Sequence, residues 1–476
     1  QAGQAVAHAQ VAAIVGQILG NQDQFAHAAA GQPSGFFHDQ LRGARFHRAF
    51  DGWDGAKGAR PTTAIGDLEI GADALSGRAQ SAAPSDAARL KSAIKYWDEA
   101  DTLTSLTSHV PLHLVAAARQ LLADTNVPSR GERIGHFQFP CMDRVMHLRP
   151  GFAFGISMFS TRIYNYESIN TENLKGWYTG DGTTWLYNDD LTQFTDNFWP
   201  TIDPYHLPGT TVDTLARANG WGQSKTSSQP WVGGAVLEDN YGSVGMAFKA
   251  IDASSSLVLN KSWFLFDDEI VCLGAGITCG GTNEVHTTIE NRRLNSAGSN
   301  GFVADGATAP ATLGWASNYS GLRWCALEGA GGYYFPDGAT VEARRYSRTG
   351  RWYDINTLPQ PTGSVTNPVT RNYLSLILNH GVRPTNATYA YVILPNQDGA
   401  AVAAYATHPH IAVLENSTQA QAVRETRLNV LAVNFWNAGD KTVDYLTCNN
   451  RASVLARETA RELALAVSDP TQTNTG

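Results

Sequence analysis

Two runs of hydrophobic residues at helical spacing come first along the chain. Between residues 85 and 124, apolar side chains recur every three or four positions, as on one face of an α-helix. The first set is Leu90, Ile94 and Trp97, and the second, after Pro111, is Leu112, Val115 and Leu122. The segment 126–131 contains Pro and Gly, which predicts that the helical part ends there.

The hydrophobic period changes to two from His136 onward, which predicts β-strands. Large and small residues alternate in the run Phe152, Ala153, Phe154, Gly155, Ile156, Ser157 and Met158. Segments 263–266 and 270–273 flank an acidic turn and predict a hairpin. Strand-sized runs continue almost to the end, and a second, smaller β unit is predicted from about Ile411. Strands that follow one another without helices indicate a mainly β fold with antiparallel sheets.

Composition narrows the class of protein. The chain has 476 residues, of which 43% are hydrophobic and 16% charged, so a folded core is expected. Its net charge of −8 disfavours a general nucleic-acid binder, which is usually basic. No apolar run reaches 18 residues, so no membrane-spanning helix is predicted. The 45 glycines, 12 tryptophans and 17 tyrosines are typical of β-sandwich proteins that stack aromatic rings on sugars.

Cysteine and histidine spacing gives no sign of a metal centre. The five cysteines are an odd number, and they lie far apart at Cys141, Cys272, Cys279, Cys325 and Cys448. No CxxC or HExxH motif occurs, so we predict buried free thiols and no metal-ligating residues.

The densest group of polar and aromatic residues lies in 162–173, followed by the glycine-rich segment 176–182. Arginine, carboxylates, asparagines and aromatic rings within about twenty residues suit a concave binding surface, because the glycines permit tight turns. The alternative is a solvated turn whose polar side chains only satisfy the backbone. Glu167 and Glu172 also suggest a glycosidase pair, which requires a particular separation of their carboxyl groups.

A proline-rich segment, 198–213, is expected to be an extended, ordered loop. It carries His206, which suits an acid or base, although a lone histidine more often has a structural hydrogen bond. Trp221 and Trp231 follow among glycines; each is a candidate for stacking on a sugar or for the core, and for Trp231 the core is preferred.

Seven short motifs from these segments resemble polysaccharide lyase family 8, which contains hyaluronate, chondroitin AC and xanthan lyases. The motifs are FPCMDR at 139–144, GFAFGISMFS at 151–160, NTEN at 170–173, WYTGDG at 177–182, LPGTTVD at 207–213, KSWF at 261–264 and TIENR at 288–292. The similarity runs in the family's order from about residue 85 to the end.

The resemblance implies an antiparallel β super-sandwich preceded by a partial α-helical, α/α toroid-like region. The implied division is 1–80 as a poorly matching region, 81–128 as the terminal toroid helices, 132–398 as the super-sandwich and 406–476 as the start of a small C-terminal β domain.

The resemblance also implies β-elimination on an acidic polysaccharide such as hyaluronan or chondroitin. In the family an Asn and a His neutralise the uronate carboxylate, a Tyr acts as base and acid, and an Arg and a Glu support them. Glu167 matches the family glutamate, and Asn170 and Trp221 match residues that contact the sugar chain. Arg162 is a further substrate-binding candidate, because a polyanion requires a locally basic groove in this acidic chain.

Other expectations follow from the same resemblance. The protein is expected to be a secreted monomer whose partner is an acidic polysaccharide, without nucleic acid or membrane. No cofactor is expected apart from a structural calcium of the kind that some relatives carry.

The sequence departs from the family pattern at its N-terminal end. The helical motif that carries the catalytic His and Tyr is not recognised, and the arginines at 42–48 only partly match the family's arginine loop. Glu167 does not replace the base while it also holds an arginine. We therefore expect a lyase that is incomplete as written, through a truncated or frameshifted start. The alternative is a non-catalytic β-sandwich protein that binds acidic glycans.

Overall fold

A computed structural model describes residues 84–100, 107, 112–251, 254–358 and 363–474. The region 1–80, with the arginines at 42–48, lies outside the described residues. The helices are α1 (Pro84–Ala100), α2 (Val115–Ala123), α3 (Phe198–Thr201), α4 (Gly363–Thr366) and α5 (Gly399–Thr407), with single 3-10 turns at Leu112–Leu114 and Trp352–Asp354.

Helices α1 and α2 pack on each other through a small apolar cluster. Its buried members are Ile94, Leu114, Ala118 and Leu121. The predicted face of the second helix was wrong at Leu112, which is 90% exposed because it begins a 3-10 turn whose Leu114 is buried instead. Val115 of the predicted face packs against the cluster. The linker after α2 folds back on α1, since the Lys95 ammonium donates to the carbonyl oxygens of Asp124 and Val127 at 2.8 and 3.1 Å.

The first β-sheet is small and antiparallel. Its order is β1-β2-β3-β4, with bounds Gly135–Phe139, Arg144–Arg149, Phe152–Ser157 and Thr183–Tyr187. The residues of β3 alternate in size rather than in polarity, because all six of them are buried. Phe154 and Ile156 enter the main core, whereas Ala153 faces a second, aromatic core.

A 12-stranded sheet forms the body of the molecule. Its strands are β5 (Thr211–Val212), β6 (Val232–Leu237), β7 (Tyr241–Lys249), β8 (Val258–Leu265), β9 (Ile270–Thr278), β10 (Glu284–Arg293), β11 (Phe302–Ala304), β12 (Ala307–Thr308), β13 (Ala316–Leu327), β14 (Gly331–Gly350), β15 (Val369–Val382) and β16 (Ala387–Pro395). The predicted hairpin is confirmed: Leu265 pairs with Ile270, and the Phe266 amide donates to the Glu269 carbonyl at 2.9 Å.

The long strand β14 joins the two layers of this body. Near its start, Tyr334 pairs with Val392 of β16, whereas from Glu342 onward it pairs with β15. Strand β14 thus changes its neighbour from β16 to β15, and β15 also pairs with β10. The sheet therefore folds over itself around an apolar core. The fold is thus mainly β with antiparallel sheets, as predicted.

A third sheet forms the C-terminal unit. It contains β17 (Ile411–Asn416), β18 (Ala420–Glu425), β19 (Val430–Phe435), β22 (Ala452–Glu458) and β23 (Leu463–Ser468), beside a ribbon of β20 (Lys441–Val443) and β21 (Leu446–Cys448). Trp231 of the larger body is 2% exposed and contacts Trp436 with ring centroids 4.2 Å apart. The preference for a core role of Trp231 is confirmed, because its indole N–H donates to the Phe435 carbonyl at 3.0 Å.

All five cysteines are free thiols, but burial was predicted correctly for only four of them. Cys141 is exposed because it lies in the turn that joins β1 to β2.

Candidate functional site

Hydrogen bonds connect two loops of the chain. We call residues 160–176 the first loop and residues 217–225 the second loop. The bonds between them are Ser168 N–H to Gln223 Oε1 (2.8 Å), Ser224 N–H to Tyr166 O (2.8 Å), Asn165 Nδ2–H to Gly222 O (3.0 Å), Lys225 N–H to Asn165 Oδ1 (3.0 Å), and Tyr166 Oη–H to Trp221 O (2.5 Å). Each of these bonds involves at least one backbone atom, so the loops form one surface.

Glu167 and Asn170 lie on the exposed side of the first loop. Asn170, Thr171 and Asn173 have φ values of 54°, 63° and 51°, so the backbone turns sharply there. The Asn173 amide donates to the Glu167 carbonyl at 2.9 Å and closes the turn. Among the described residues, none donates a hydrogen bond to the Glu167 carboxylate. This exposed carboxylate is therefore available as a negatively charged hydrogen-bond acceptor.

Trp221 of the second loop is half-buried, and a guanidinium covers part of it. The Arg217 guanidinium lies 4.3 Å from the Trp221 ring centroid. Asp213 orients this guanidinium, because both of its carboxylate oxygens accept from Arg217 Nη2, at 3.1 and 3.3 Å. The attraction between the Arg217 guanidinium and the Trp221 ring favours one orientation of that ring. The structure thus brings Trp221 next to the loop of Glu167 and Asn170, as a fixed aromatic surface.

Aromatic rings support both loops from below. Tyr205 contacts the rings of Trp177 and Tyr178, with centroids 5.2 and 5.9 Å apart. Its hydroxyl accepts from the Arg217 amide at 2.8 Å, and the Trp177 indole N–H donates to the Ala218 carbonyl at 2.9 Å. Burial raises the pKa of Tyr178, so its phenol stays neutral beneath the loops.

His206 takes part in a chain of four titratable side chains. Its Nδ1 lies 2.9 Å from Asp203 Oδ2, and its Nε2 lies 3.1 Å from His286 Nδ1. His286 Nε2 in turn lies 3.2 Å from Glu284 Oε2. Burial lowers the pKa of His286, whereas the bond from His206 holds the pKa of Asp203 below its usual range, although burial opposes this.

Both ring nitrogens of His206 have hydrogen-bond partners, because Nδ1 contacts the Asp203 carboxylate and Nε2 contacts His286. These contacts favour the structural hydrogen-bonding role, which was one of the two alternatives for His206.

Arg162 lies on the first loop, but its donors point into the protein. Nη1 donates to the carbonyl oxygens of Pro230 and Thr471 at 2.9 and 3.4 Å. Nη2 donates to Val232 O at 3.0 Å, Pro470 O at 3.4 Å and Asp143 Oδ1 at 3.3 Å. These contacts join the first loop to β6 and the C-terminal segment. We therefore leave Arg162 out of the site that we propose, and its predicted substrate contact has no support in this geometry.

Two family profiles match the chain over its β part. The profile "Polysaccharide lyase family 8, super-sandwich domain" matches residues 134–406. The profile "Polysaccharide lyase family 8, C-terminal beta-sandwich domain" matches residues 412–476. The chain belongs to polysaccharide lyase family 8. The family resemblance of the motifs is thereby confirmed.

Curated relatives agree with this family. A xanthan lyase of Bacillus sp. (strain GL1) is 40% identical over 405 residues, which cover 84% of this chain and 43% of that protein. A hyaluronate lyase of Thermasporomyces composti is 38% identical over 399 residues, 83% of this chain and 50% of that protein. The chain thus spans half or less of the length of these two family 8 lyases.

Solved structures of family 8 lyases share the fold. A Paenibacillus xanthan lyase superposes with a TM-score of 0.82 at 45% identity, covering 87% of this chain and 39% of that one. The chondroitin AC lyase of Streptomyces coelicolor A3, solved with chondroitin sulphate, gives a TM-score of 0.75 at 36% identity, covering 85% and 52%. The super-sandwich architecture implied by the motifs is therefore shown.

Two further expectations concern groups outside the loops. Within the described ranges, no set of three or more His, Cys, Asp or Glu side chains is arranged to hold a metal. No helix in the described part of this family 8 chain is long and apolar enough to cross a membrane.

Sequence reasoning missed several residues around the site. Arg217 escaped notice because its contact with Trp221 depends on how the second loop turns. Lys175 and Arg348 line a cleft beside the first loop although 173 positions separate them in the chain. The spacing Arg217-x3-Trp221 was a usable signal for the first case, whereas no local pattern connects the other two.

Proposed function

We propose that this chain is the β part of a polysaccharide lyase that cleaves a uronic-acid-containing polysaccharide by β-elimination. The observation that supports the proposal is that the loop of Glu167 and Asn170 is hydrogen-bonded to the loop of Trp221. These three residues are the positions that match the family's pattern. Secretion and a monomeric state belong to the same proposal.

The chemistry assigns distinct tasks to these side chains. In the elimination, a base removes the C5 proton of the uronate, the C4–O4 bond breaks, and a C4=C5 double bond forms. The leaving O4 takes up a proton, so the proton count is unchanged. The negative carboxylate makes the C5 proton a weak acid, and the carboxylate needs hydrogen-bond donors or positive charge around it.

Glu167 suits a supporting task in this scheme. Its exposed carboxylate is free to hold a cationic side chain or a sugar hydroxyl, since no described residue binds it. The Asn170 amide offers donors to the sugar, and Trp221 offers an aromatic surface. The proton-transferring base is not assigned to a described residue.

The proposal is tested by supplying the 476-residue chain with hyaluronan, chondroitin sulfate and xanthan. A lyase produces an unsaturated uronate, which is followed by its near-ultraviolet absorbance. We expect Glu167→Gln to lower the rate by about 100-fold, because an electrostatic contact to the reacting groups is lost. The matched control is Glu172→Gln, a second carboxylate of the same loop, which we expect to keep the rate within about twofold.

The other outcomes identify the other candidates. New reducing ends without the ultraviolet product, abolished by either substitution, would indicate the glycosidase pair instead. Binding of an acidic glycan without any product would indicate a non-catalytic glycan-binding protein.

A further inference from the structure

The exposed turn of the first loop contains a backbone conformation that suits one of its residues poorly. The turn 169–172 is closed by a hydrogen bond from the Glu172 amide to the Ile169 carbonyl, at 3.0 Å. Its two central residues, Asn170 and Thr171, have φ values of 54° and 63°. Turns with two positive φ values are dominated by Gly, Asn and Asp, so Asn170 is a usual residue there and Thr171 is not.

A β-branched residue is rare in the left-handed region, because the backbone crowds the two heavy atoms on its Cβ. Among the described non-glycine residues with positive φ, only Thr171 and Thr214 are β-branched. Such a conformation costs free energy, and it persists only where the surrounding contacts impose it. Residues of this kind are concentrated at functional sites, so the side chain of Thr171 requires an explanation.

The backbone contacts of Thr171 explain its conformation but not the choice of residue. The Thr357 amide donates to the Thr171 carbonyl at 3.0 Å, and the Ser168 hydroxyl donates to the Glu172 carbonyl at 2.7 Å. These two bonds hold the turn in place. A glycine would offer the same carbonyl without the steric cost, because it has no Cβ atom. The side chain of Thr171 is therefore not needed to form the turn.

The hydroxyl of Thr171 has no structural role of the kind that Thr214 has. The Thr214 hydroxyl donates to the Glu284 carbonyl at 2.9 Å, which accounts for a threonine at that position. In the part of the chain that the structure describes, the Thr171 hydroxyl has no hydrogen-bond partner, and the residue is exposed beside Asn170. A strained residue that presents an unused polar group at the candidate site suits contact with a ligand. The alternative is a hydroxyl that is only solvated.

We propose that Thr171 is a substrate-contact residue, whose hydroxyl binds a hydroxyl group of the glycan beside Asn170. A threonine hydroxyl both donates and accepts hydrogen bonds, as a sugar hydroxyl does, so the two groups are complementary. The β-branched side chain has few χ1 rotamers, so little conformational freedom is lost on binding. The proposal rests on the proposed function for the class of ligand, but it requires binding only and no turnover.

The test separates the hydroxyl from the strain by three substitutions. Thr171→Val keeps the β-branched shape without the hydroxyl, Thr171→Ser keeps the hydroxyl, and Thr171→Gly removes both the hydroxyl and the steric cost. All are made in a Glu167→Gln background, in which the proposed elimination is slow. The probes are a hyaluronan hexasaccharide and a xanthan pentasaccharide, titrated by calorimetry. The stability of each variant is measured by urea denaturation.

Thr171→Val and Thr171→Gly are each expected to weaken binding of at least one probe by about fivefold or more, through the loss of one hydrogen bond. Thr171→Ser is expected to stay within about twofold. Thr171→Gly is expected at the same time to raise the urea concentration at the unfolding midpoint, because the steric cost is removed. Weaker binding together with higher stability is the result expected of a contact residue and not of a purely structural one.

The matched control is Thr418→Val, which changes an exposed threonine in the turn between β17 and β18 and is expected to leave the affinity unchanged. Equal affinities for Thr171→Val and this control would overturn the proposal, and so would a failure of both probes to bind. Weaker binding by Thr171→Val, without lyase product from the unaltered chain, would support the contact while the proposed elimination fails. Lyase product without an effect of Thr171→Val would give the reverse.

Discussion

At the scale of single residues, a buried histidine pair makes the stability of the fold depend on pH. His136 and His147 lie with their Nδ1 atoms 3.3 Å apart, and His147 Nε2 lies 2.7 Å from the Phe266 carbonyl oxygen. His136 Nε2 faces the Gln138 amide at 3.4 Å and accepts from it. These contacts suit two neutral imidazoles, with hydrogens on His136 Nδ1 and His147 Nε2.

Burial lowers the pKa of His136 from 6.5 to about 3, and burial also lowers the pKa of His147. Between about pH 3 and 6.5 the unfolded chain therefore binds more protons than the folded chain. This contribution to stability is complete above pH 6.5 and is lost as the pH falls toward 3. The loss is on the order of a few kcal/mol for His136.

We therefore predict a steep pH dependence of unfolding, to be measured by urea denaturation at several values between pH 4.5 and 7.5. The free energy of unfolding is expected to fall on acidification. His136→Gln is expected to make this slope shallower, because an amide does not titrate in this range. His408→Gln changes an exposed histidine and serves as the control, with an unchanged slope. The same slope in both variants would contradict the prediction.

At the scale of elements, the end of β14 positions the short helix α3 and hence the cleft. An added Cβ at Gly350 would lie 1.7 Å from the Pro200 carbonyl oxygen. A backbone atom has no rotamer with which to move away, so the helix itself would have to shift. Pro200 also lines the cleft between Lys175 and Arg348.

Gly350→Ala is accordingly predicted to lower the free energy of unfolding by about 1–3 kcal/mol, the usual cost of overpacking. Urea denaturation followed by tryptophan fluorescence gives this value, since Trp199 is on the same helix. The control is Gly281→Ala, whose new Cβ would meet only the Cys279 Sγ atom at 3.5 Å. A stability equal to that of the control would show that α3 is not held in this way.

Secondary structure could be predicted from the sequence wherever the contacts that form it join residues close together in the chain. The hairpin around residues 267–269 was predicted because its strands and turn lie within eleven consecutive residues. The inward face of α2 was not predicted correctly, because a 3-10 turn at Leu112–Leu114 changes the angle between successive side chains. Full burial of β3 also escaped the pattern, because only the assembled layers show that both of its faces are covered.

At the scale of the whole molecule, buried amides join the super-sandwich to the C-terminal unit. Asn434 of β19 accepts from the Ser243 hydroxyl at 2.8 Å. Its own amide donates to the Val244 carbonyl and the Ser262 hydroxyl, each at 2.9 Å. Ser262 then donates to Gln421 Oε1 at 2.7 Å. Separation of the two units would leave each of these groups without its partner in the other unit.

We predict that the super-sandwich and the C-terminal unit unfold in one cooperative transition, which calorimetry detects. Asn434→Ala is expected to lower the free energy of unfolding by about 1–3 kcal/mol, because buried donors and acceptors lose their partners. Asn437→Ala serves as the control, since this residue is exposed two positions beyond β19 and only donates to the Thr418 carbonyl. Two separate transitions in the unaltered chain would refute the prediction.

The sequence by itself determined the fold class, the hairpin and the family, because spacing and short motifs are local properties of the chain. It also selected Glu167, Asn170 and Trp221, which belong to the first and second loops. Only the tertiary structure decided that Arg162 turns inward, and that Lys175 and Arg348 line the same cleft. Such choices depend on contacts between distant segments, and the free energy of those contacts is set by burial and geometry that no local pattern contains.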